Sequence, residues 1–173
     1  MGKRTESEDG LIDLEDRKVE AHEQVHTIVE ILEYPTHPHR SESAEYRKNH
    51  DLLIDDLKLP CFVCNRLGME KLPSEHLETH HFVVEWAEWE NADSIEVQKL
   101  FDDGVIDFYG YSKKLKGKPV KSPDDIRNLL VLCPLHHRGK GTGIHETSAP
   151  MWFSQIVAKN GVEMLKGSID NHK

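Results

Sequence analysis

At 173 residues and 37% hydrophobic content the chain is sized for one globular domain with room for an appendage. Its formal charge of −9 argues against a generic binder of polyanions, and no apolar run approaches the roughly 18 residues of a membrane span. Three cysteines, two of them in a CxxC, suit a metal knuckle in a reducing compartment better than a disulfide scaffold.

The start MGKRTESEDG lacks the hydrophobic stretch of a signal peptide. Glu6 stands where a myristoylation signal wants Ser or Thr, so a cytoplasmic protein without lipid anchor is expected. Residues 1 to about 15 are polar and acidic and are expected to lack order until Leu11 and Leu14 begin a helical pattern. Apolar residues at Val19, Val25, Ile28, Val29, Ile31 and Leu32 continue it, and Pro35 and Pro38 end it. A second helix is predicted from the Ser41–Ser43 cap through Tyr46, Leu52, Leu53 and Leu57 to just before Pro60.

After the CFVC segment, LETHHFVVEW reads as one strand and NLLVLC, at 128–133, as another. Between them an insertion carries a helix predicted from Ser94 to Asp102, followed by an irregular Gly- and Lys-rich loop, GYSKKLKGKP. A last helix is expected at about 148–159, stopping at Asn160-Gly161. The fold class is α+β, with a tail and helical extension at 1–58, a zinc-stabilised domain at 59–160 interrupted by an insertion at 86–126, and a C-terminal tail at 161–173.

Charge is distributed unevenly. From Lys113 to Lys140 eight Lys or Arg face only Asp124 and Asp125, so this stretch is +6 and the rest is −15. Lys113, Lys114, Lys116, Arg138 and Lys140 are therefore the candidate contacts to nucleic-acid phosphate.

Cys61 and Cys64, with Cys133 and His136, form two pairs of x2 spacing separated by 68 residues. Two such knuckles can share one tetrahedral Zn²⁺, an ion that accepts thiolate and imidazole together. Four protein ligands close the ion to substrate, so this zinc is structural, and any catalysis lies elsewhere.

His80 and His81 are adjacent on a predicted strand, Asn128 opens the next, and His137 and His145 lie in HHRGKGTGIH. The order of ETHHF, DDIRNLLVLC and PLHHRGKGTGIH resembles the HNH (ββα-metal) nuclease family over about residues 61–158, closest to phage-type members with flanking zinc knuckles. The resemblance implies a ββα-metal core in which His80, His137 and His145 hold a catalytic divalent cation, Mg²⁺, Mn²⁺, Ni²⁺ or Zn²⁺. It implies His81 as general base and Asn128 as the residue that orients it. Histidine suits the base because its ordinary pKa lies near neutrality.

The sequence departs from the family in two places. The stretch between His81 and Asn128 is 46 residues, longer than that of a minimal finger, and glycines 139, 141 and 143 forbid a continuous helix from His137 to His145. Glu78 or Glu146 is an alternative ligand, and Trp86 and Trp89 read as packing residues rather than base platforms. The expected function is DNA endonuclease, nicking or cutting both strands. A non-catalytic zinc-stabilised module for nucleic acid or protein is the alternative, and an RNase or toxin-type nuclease a third. The implied partners are DNA and, through the N-terminal helices, a second copy or a phage packaging protein, in a bacterial or phage-infected cell.

Overall fold

The computed structural model describes residues 23–25, 27, 35–37, 39–69, 76–149 and 152. The chain divides into two compact units, Met1–Glu30 and Ile31–Lys173, and every element below lies in the second. The helix expected between Leu11 and Leu32 falls mostly outside the described residues, and 23–25 and 27 belong to no regular element. No described helix is long and apolar enough to cross a membrane.

α1 (Ala44–Asp51) begins where the sequence predicts, because the Ser43 hydroxyl accepts a hydrogen bond from the Tyr46 amide at 2.9 Å. It continues as a π-turn at Leu52–Asp56 that buries Leu53 and Ile54, and ends short of Pro60. α2 (Phe62–Leu67) starts inside the CFVC motif with Cys61 at its N-cap, and Gly68, at φ 66°, ends it in the left-handed region that glycine tolerates.

β1 (Glu78–His81) pairs antiparallel with β2 (Leu129–Leu132), placing Glu78 opposite Leu132 and His81 opposite Leu129. All four β2 side chains are fully buried, the pattern of a strand covered on both faces. Each contributes about 2 kcal/mol of apolar burial. Around them pack Leu53, Ile54, Val63, Leu67 and Trp152, together with the three cysteines.

The first strand is shorter than the sequence predicts. The Phe82 amide donates to the Asn128 carbonyl at 2.8 Å, while the Val83 and Val84 amides donate to the Asn128 side-chain Oδ1 at 2.8 and 3.3 Å. A side chain thus satisfies amides that a longer ladder would have used, and the chain turns away into a 3₁₀ turn at Trp86–Asn91.

In the insertion, α3 (Ser94–Asp102) has the expected bounds, is capped by Asp93, and gives Val97 and Phe101 to a second small core with Val84 and Val120. The lysine-rich segment is less irregular than predicted. Asp107 accepts from the Ser112 and Lys113 amides at 3.0 and 3.3 Å and starts a single turn, α4 (Tyr111–Lys114). Buried Arg127 forks onto Asp125 and donates to the Lys118 carbonyl at 2.9 Å, which ties this segment to the entry of β2.

α5 (Pro134–Arg138) follows β2 directly, with Pro134 in its first turn, where a missing amide costs nothing. It stops at Gly139, as the glycines predict. Of the last helix, expected at about 148–159, Ser148, Ala149 and Trp152 are described, and Ala149 and Trp152 are helical.

Candidate functional site

The first cluster is the Cys3His set. α2 brings Cys61 and Cys64, and the exit of β2 into α5 brings Cys133 and His136, all four buried. His136 Nδ1 lies 3.5, 3.4 and 3.3 Å from the sulfurs of Cys61, Cys64 and Cys133, and the sulfurs of Cys64 and Cys133 are 3.8 Å apart. Tetrahedral zinc with bonds of about 2.3 Å to sulfur and 2.0–2.1 Å to nitrogen requires donor separations of roughly 3.5–3.8 Å. The set fits structural zinc in number, identity and spacing.

Its proton chemistry points the same way. Hydrogen bonds from Cys61 and Cys64 hold the Cys133 thiol far below its ordinary range, and Cys133 pushes Cys64 far above it. Burial pulls His136 down, but the sulfurs of Cys133 and Cys61 outweigh it and raise the imidazole to about 9. Donors that contest protons this strongly are suited to a dication that replaces those protons.

The second cluster joins His80, His137 and His145, whose donor atoms lie within 4.8 Å of one another. His80 comes from β1, His137 from α5 and His145 from the loop that follows. The loop doubles back tightly: the Ile144 amide donates to the His136 carbonyl at 3.0 Å and the His145 amide to the His137 carbonyl at 3.4 Å. Only glycine permits this path. A Cβ on Gly139 would sit 2.2 Å from the Leu135 carbonyl oxygen, and one on Gly143 would sit 2.7 Å from the Gly139 nitrogen. His137 Nε2 and His145 Nε2 end 3.2 Å apart, close to the roughly 3.3 Å of two imidazoles sharing one cation.

All three imidazoles are biased to the neutral form that a metal ligand needs. Burial depresses His80, to about 2, with the neighbouring His145 and His137 adding to it. Burial likewise lowers His137 and His145. Glu78 accepts from His137 Nδ1 at 2.5 Å and is itself held by Arg138, which fixes the His137 ring with Nε2 toward the cluster. Glu78 therefore stands behind a histidine rather than in place of one.

The His81 side chain has partners of its own, Asp124 and Tyr46. It is 3% exposed, its Nε2 lies 2.8 Å from Asp124 Oδ1, and its ring lies against Tyr46. Asp124 is pinned in turn by the Ser43 hydroxyl at 2.6 Å and, through its carbonyl, by Asn49 at 2.8 Å. Burial raises the Asp124 carboxyl, but the bonds from His81 and Ser43 prevail and keep it below the usual carboxylate range. A cavity of about 270 Å³ opens beside this pair, lined by Arg40, Tyr46, Trp86 and Asp124 among others.

Asn128 is placed near His81 in the sheet but makes no bond to its ring. Its amide spans the Val83 and Val84 amides, the Val84 carbonyl at 2.9 Å and the Pro123 carbonyl at 2.7 Å. It clamps the loop after β1 to the residue preceding Asp124, and so reaches His81 only at second hand.

Lys113, Lys114, Lys116 and Lys140 are exposed, and Arg138 is exposed but paired with Glu78. The cations whose charge bears on the imidazole cluster are Arg40 and Arg138. Trp89 packs against the second core, and Trp86 stands edge-on to His37. Sequence reading missed Asp124, Arg40 and Glu85. Asp124 lies four residues before Asn128 and Glu85 four after His81, but isolated acids give no signal of what they will face. No protein-family model, curated protein or solved structure matches this chain.

Proposed function

We propose that the chain is a divalent-metal-dependent endonuclease of the HNH type, hydrolysing phosphodiester bonds of DNA. The observation that carries this reading is the convergence of His80, His137 and His145 on one point, beside a strand whose next residue is a histidine paired to a carboxylate. Two antiparallel strands followed by α5 and its return loop supply the ββα order of such a core. A bound divalent cation neutralises charge on the phosphate and on the departing oxygen.

The protein groups divide the rest. Glu78 orients His137 and keeps Nε2 directed inward. His81 donates from Nε2 to Asp124, which leaves Nδ1 as the nitrogen that accepts the proton of the attacking water, and ionised Asp124 stabilises the resulting imidazolium. Asn128 holds the two loops between which this pair sits. Arg138 and the lysines of 113–116 hold the nucleic-acid backbone, which positions the substrate without reading sequence.

One observation favours the non-catalytic alternative. His81 is buried and bonded to Asp124, as a structural histidine is. The two readings separate on supercoiled plasmid incubated with the protein and Mg²⁺, Mn²⁺, Ni²⁺ or Zn²⁺. Nicked or linear product that disappears with chelator supports the nuclease, whereas binding without cutting under all four ions supports the module. Structured RNA in parallel tests the RNase reading.

A further inference from the structure

Among the described residues, three carboxylates approach the two histidine groups, and two are already engaged. Glu78 is shared by His137 and Arg138, and Asp124 by His81 and Ser43. Glu85 is different. One oxygen of its carboxylate lies 3.7 Å from His80 Nε2 and 3.7 Å from His145 Nδ1, and among the described residues no donor hydrogen-bonds to it. Its position is set by the chain: Glu85 follows the two residues fastened by the Asn128 side chain and precedes the 3₁₀ turn, so the segment is not free to swing away.

We propose that Glu85 is a fourth protein donor of the His80–His137–His145 centre, which makes it a His3Glu site. The proposal rests on the reading of those three histidines as a metal centre. Four protein donors fill tetrahedral Zn²⁺ and close it to water and phosphate, whereas a six-coordinate ion keeps two places. Mixed imidazole and carboxylate donors suit Mn²⁺, Co²⁺ or Ni²⁺. The working ion is therefore of that class, and Zn²⁺ at this centre binds without supporting turnover.

The test is Co²⁺ titration of the full chain with its structural zinc in place, by calorimetry and visible absorption, for wild type, Glu85→Gln and Glu85→Ala. His137→Ala gives the baseline without a second site. In both Glu85 variants Co²⁺ affinity should fall about 100-fold or more, beyond the 10- to 100-fold usual for an outer partner, and the spectrum of the residual complex should change. Unaltered affinity overturns the proposal. So does reduced affinity with an unchanged spectrum, which makes Glu85 an orienting group, and so does failure of both variants to fold.

Plasmid nicking in the same samples separates this proposal from the nuclease reading. Wild type that loads Co²⁺ through Glu85 yet cuts nothing upholds the donor and refutes the nuclease. Glu85→Gln that loads Co²⁺ and cuts like wild type refutes the donor alone. Wild type that takes up no second ion refutes both.

Discussion

His136 and His137 are neighbours in α5, yet they belong to different donor clusters: His136 Nδ1 faces three cysteine sulfurs and His137 Nε2 faces His145. One peptide bond separates the structural site from the candidate catalytic one. The same turn receives the return loop, since the His136 carbonyl accepts from the Ile144 amide and from the Trp152 indole at 3.4 Å. The Cys3His set therefore fixes two of the three imidazoles of its neighbour.

A hierarchy of metal binding follows. Cys61→Ser or Cys133→Ser should lose the structural zinc and, with it, all uptake of Co²⁺ at the histidine site. The free energy involved, about 10–16 kcal/mol for zinc in small finger peptides, equals or exceeds the whole stability of an ordinary domain. These variants should therefore unfold or aggregate, as circular dichroism and metal analysis will show. His137→Ala should keep its zinc and melt nearly as wild type. A cysteine variant that melts normally while lacking zinc would contradict the coupling.

Gly143→Ala tests the return loop. The new methyl would meet the Gly139 nitrogen at 2.7 Å, a backbone atom that cannot step aside. The loop must open and carry His145 away from His137. Co²⁺ affinity at the second site should drop about 10- to 100-fold, by analogy with loss of an orienting partner, while the structural zinc is retained. Equal affinity in calorimetry would show that the loop is not held by this contact.

How much of this was legible in the sequence differs between the two clusters. The Cys3His set was readable because x2 spacing at a turn is a local property, and each pair sits on one short element. The grouping of His80, His137 and His145 was readable only through the order of the motifs, because it depends on pairing β1 with β2. The length of β1, the turn at Tyr111–Lys114 and the neighbours of Asn128 were not. Each is decided by one polar side chain meeting backbone outside its own turn: Asn128 ends β1 at His81 from 45 and 44 residues away, and Asp107 starts α4 through amides five and six residues ahead. The link from α1 to the site, through Ser43 and Asn49 onto Asp124, was hidden for the same reason, since 81 and 75 residues separate the partners.

Asn128 is almost wholly buried and its amide makes four hydrogen bonds to backbone. Asn128→Ala leaves those backbone groups unpaired, at about 1–3 kcal/mol for each one kept from water. A fall of several kcal/mol in chemical denaturation is expected. Asn128→Asp keeps the acceptor but turns a buried carboxylate oxygen onto the Val84 and Pro123 carbonyls, so it should lose at least as much. Equal stability of the alanine variant and wild type would remove Asn128 from the framework of the site.

The lysines of α4 and the following turn are exposed, with Lys114 lying over the Tyr111 ring. Neutralising Lys113, Lys114 and Lys116 together should weaken binding to all DNA sequences alike. If each contacts one phosphate, the slope of log affinity against log salt should fall by up to about 3. An unchanged slope would leave Arg40 and Arg138 as the cations of the site.

The central claim is tested most directly by comparing His81→Gln with His137→Ala in plasmid cleavage and metal titration. His81 is buried and bonded to Asp124, so truncation to alanine would add about 1–3 kcal/mol of destabilisation from the unpaired carboxylate. Glutamine retains a donor and isolates the chemistry. His81→Gln should bind DNA and the second divalent ion as wild type does, yet cut about 10²- to 10⁴-fold more slowly, the range for a lost general base. His137→Ala should lose both cutting and the ion. A wild-type protein that cuts nothing with Mg²⁺, Mn²⁺, Ni²⁺ or Co²⁺, or a His81→Gln variant that cuts at the wild-type rate, would contradict the account.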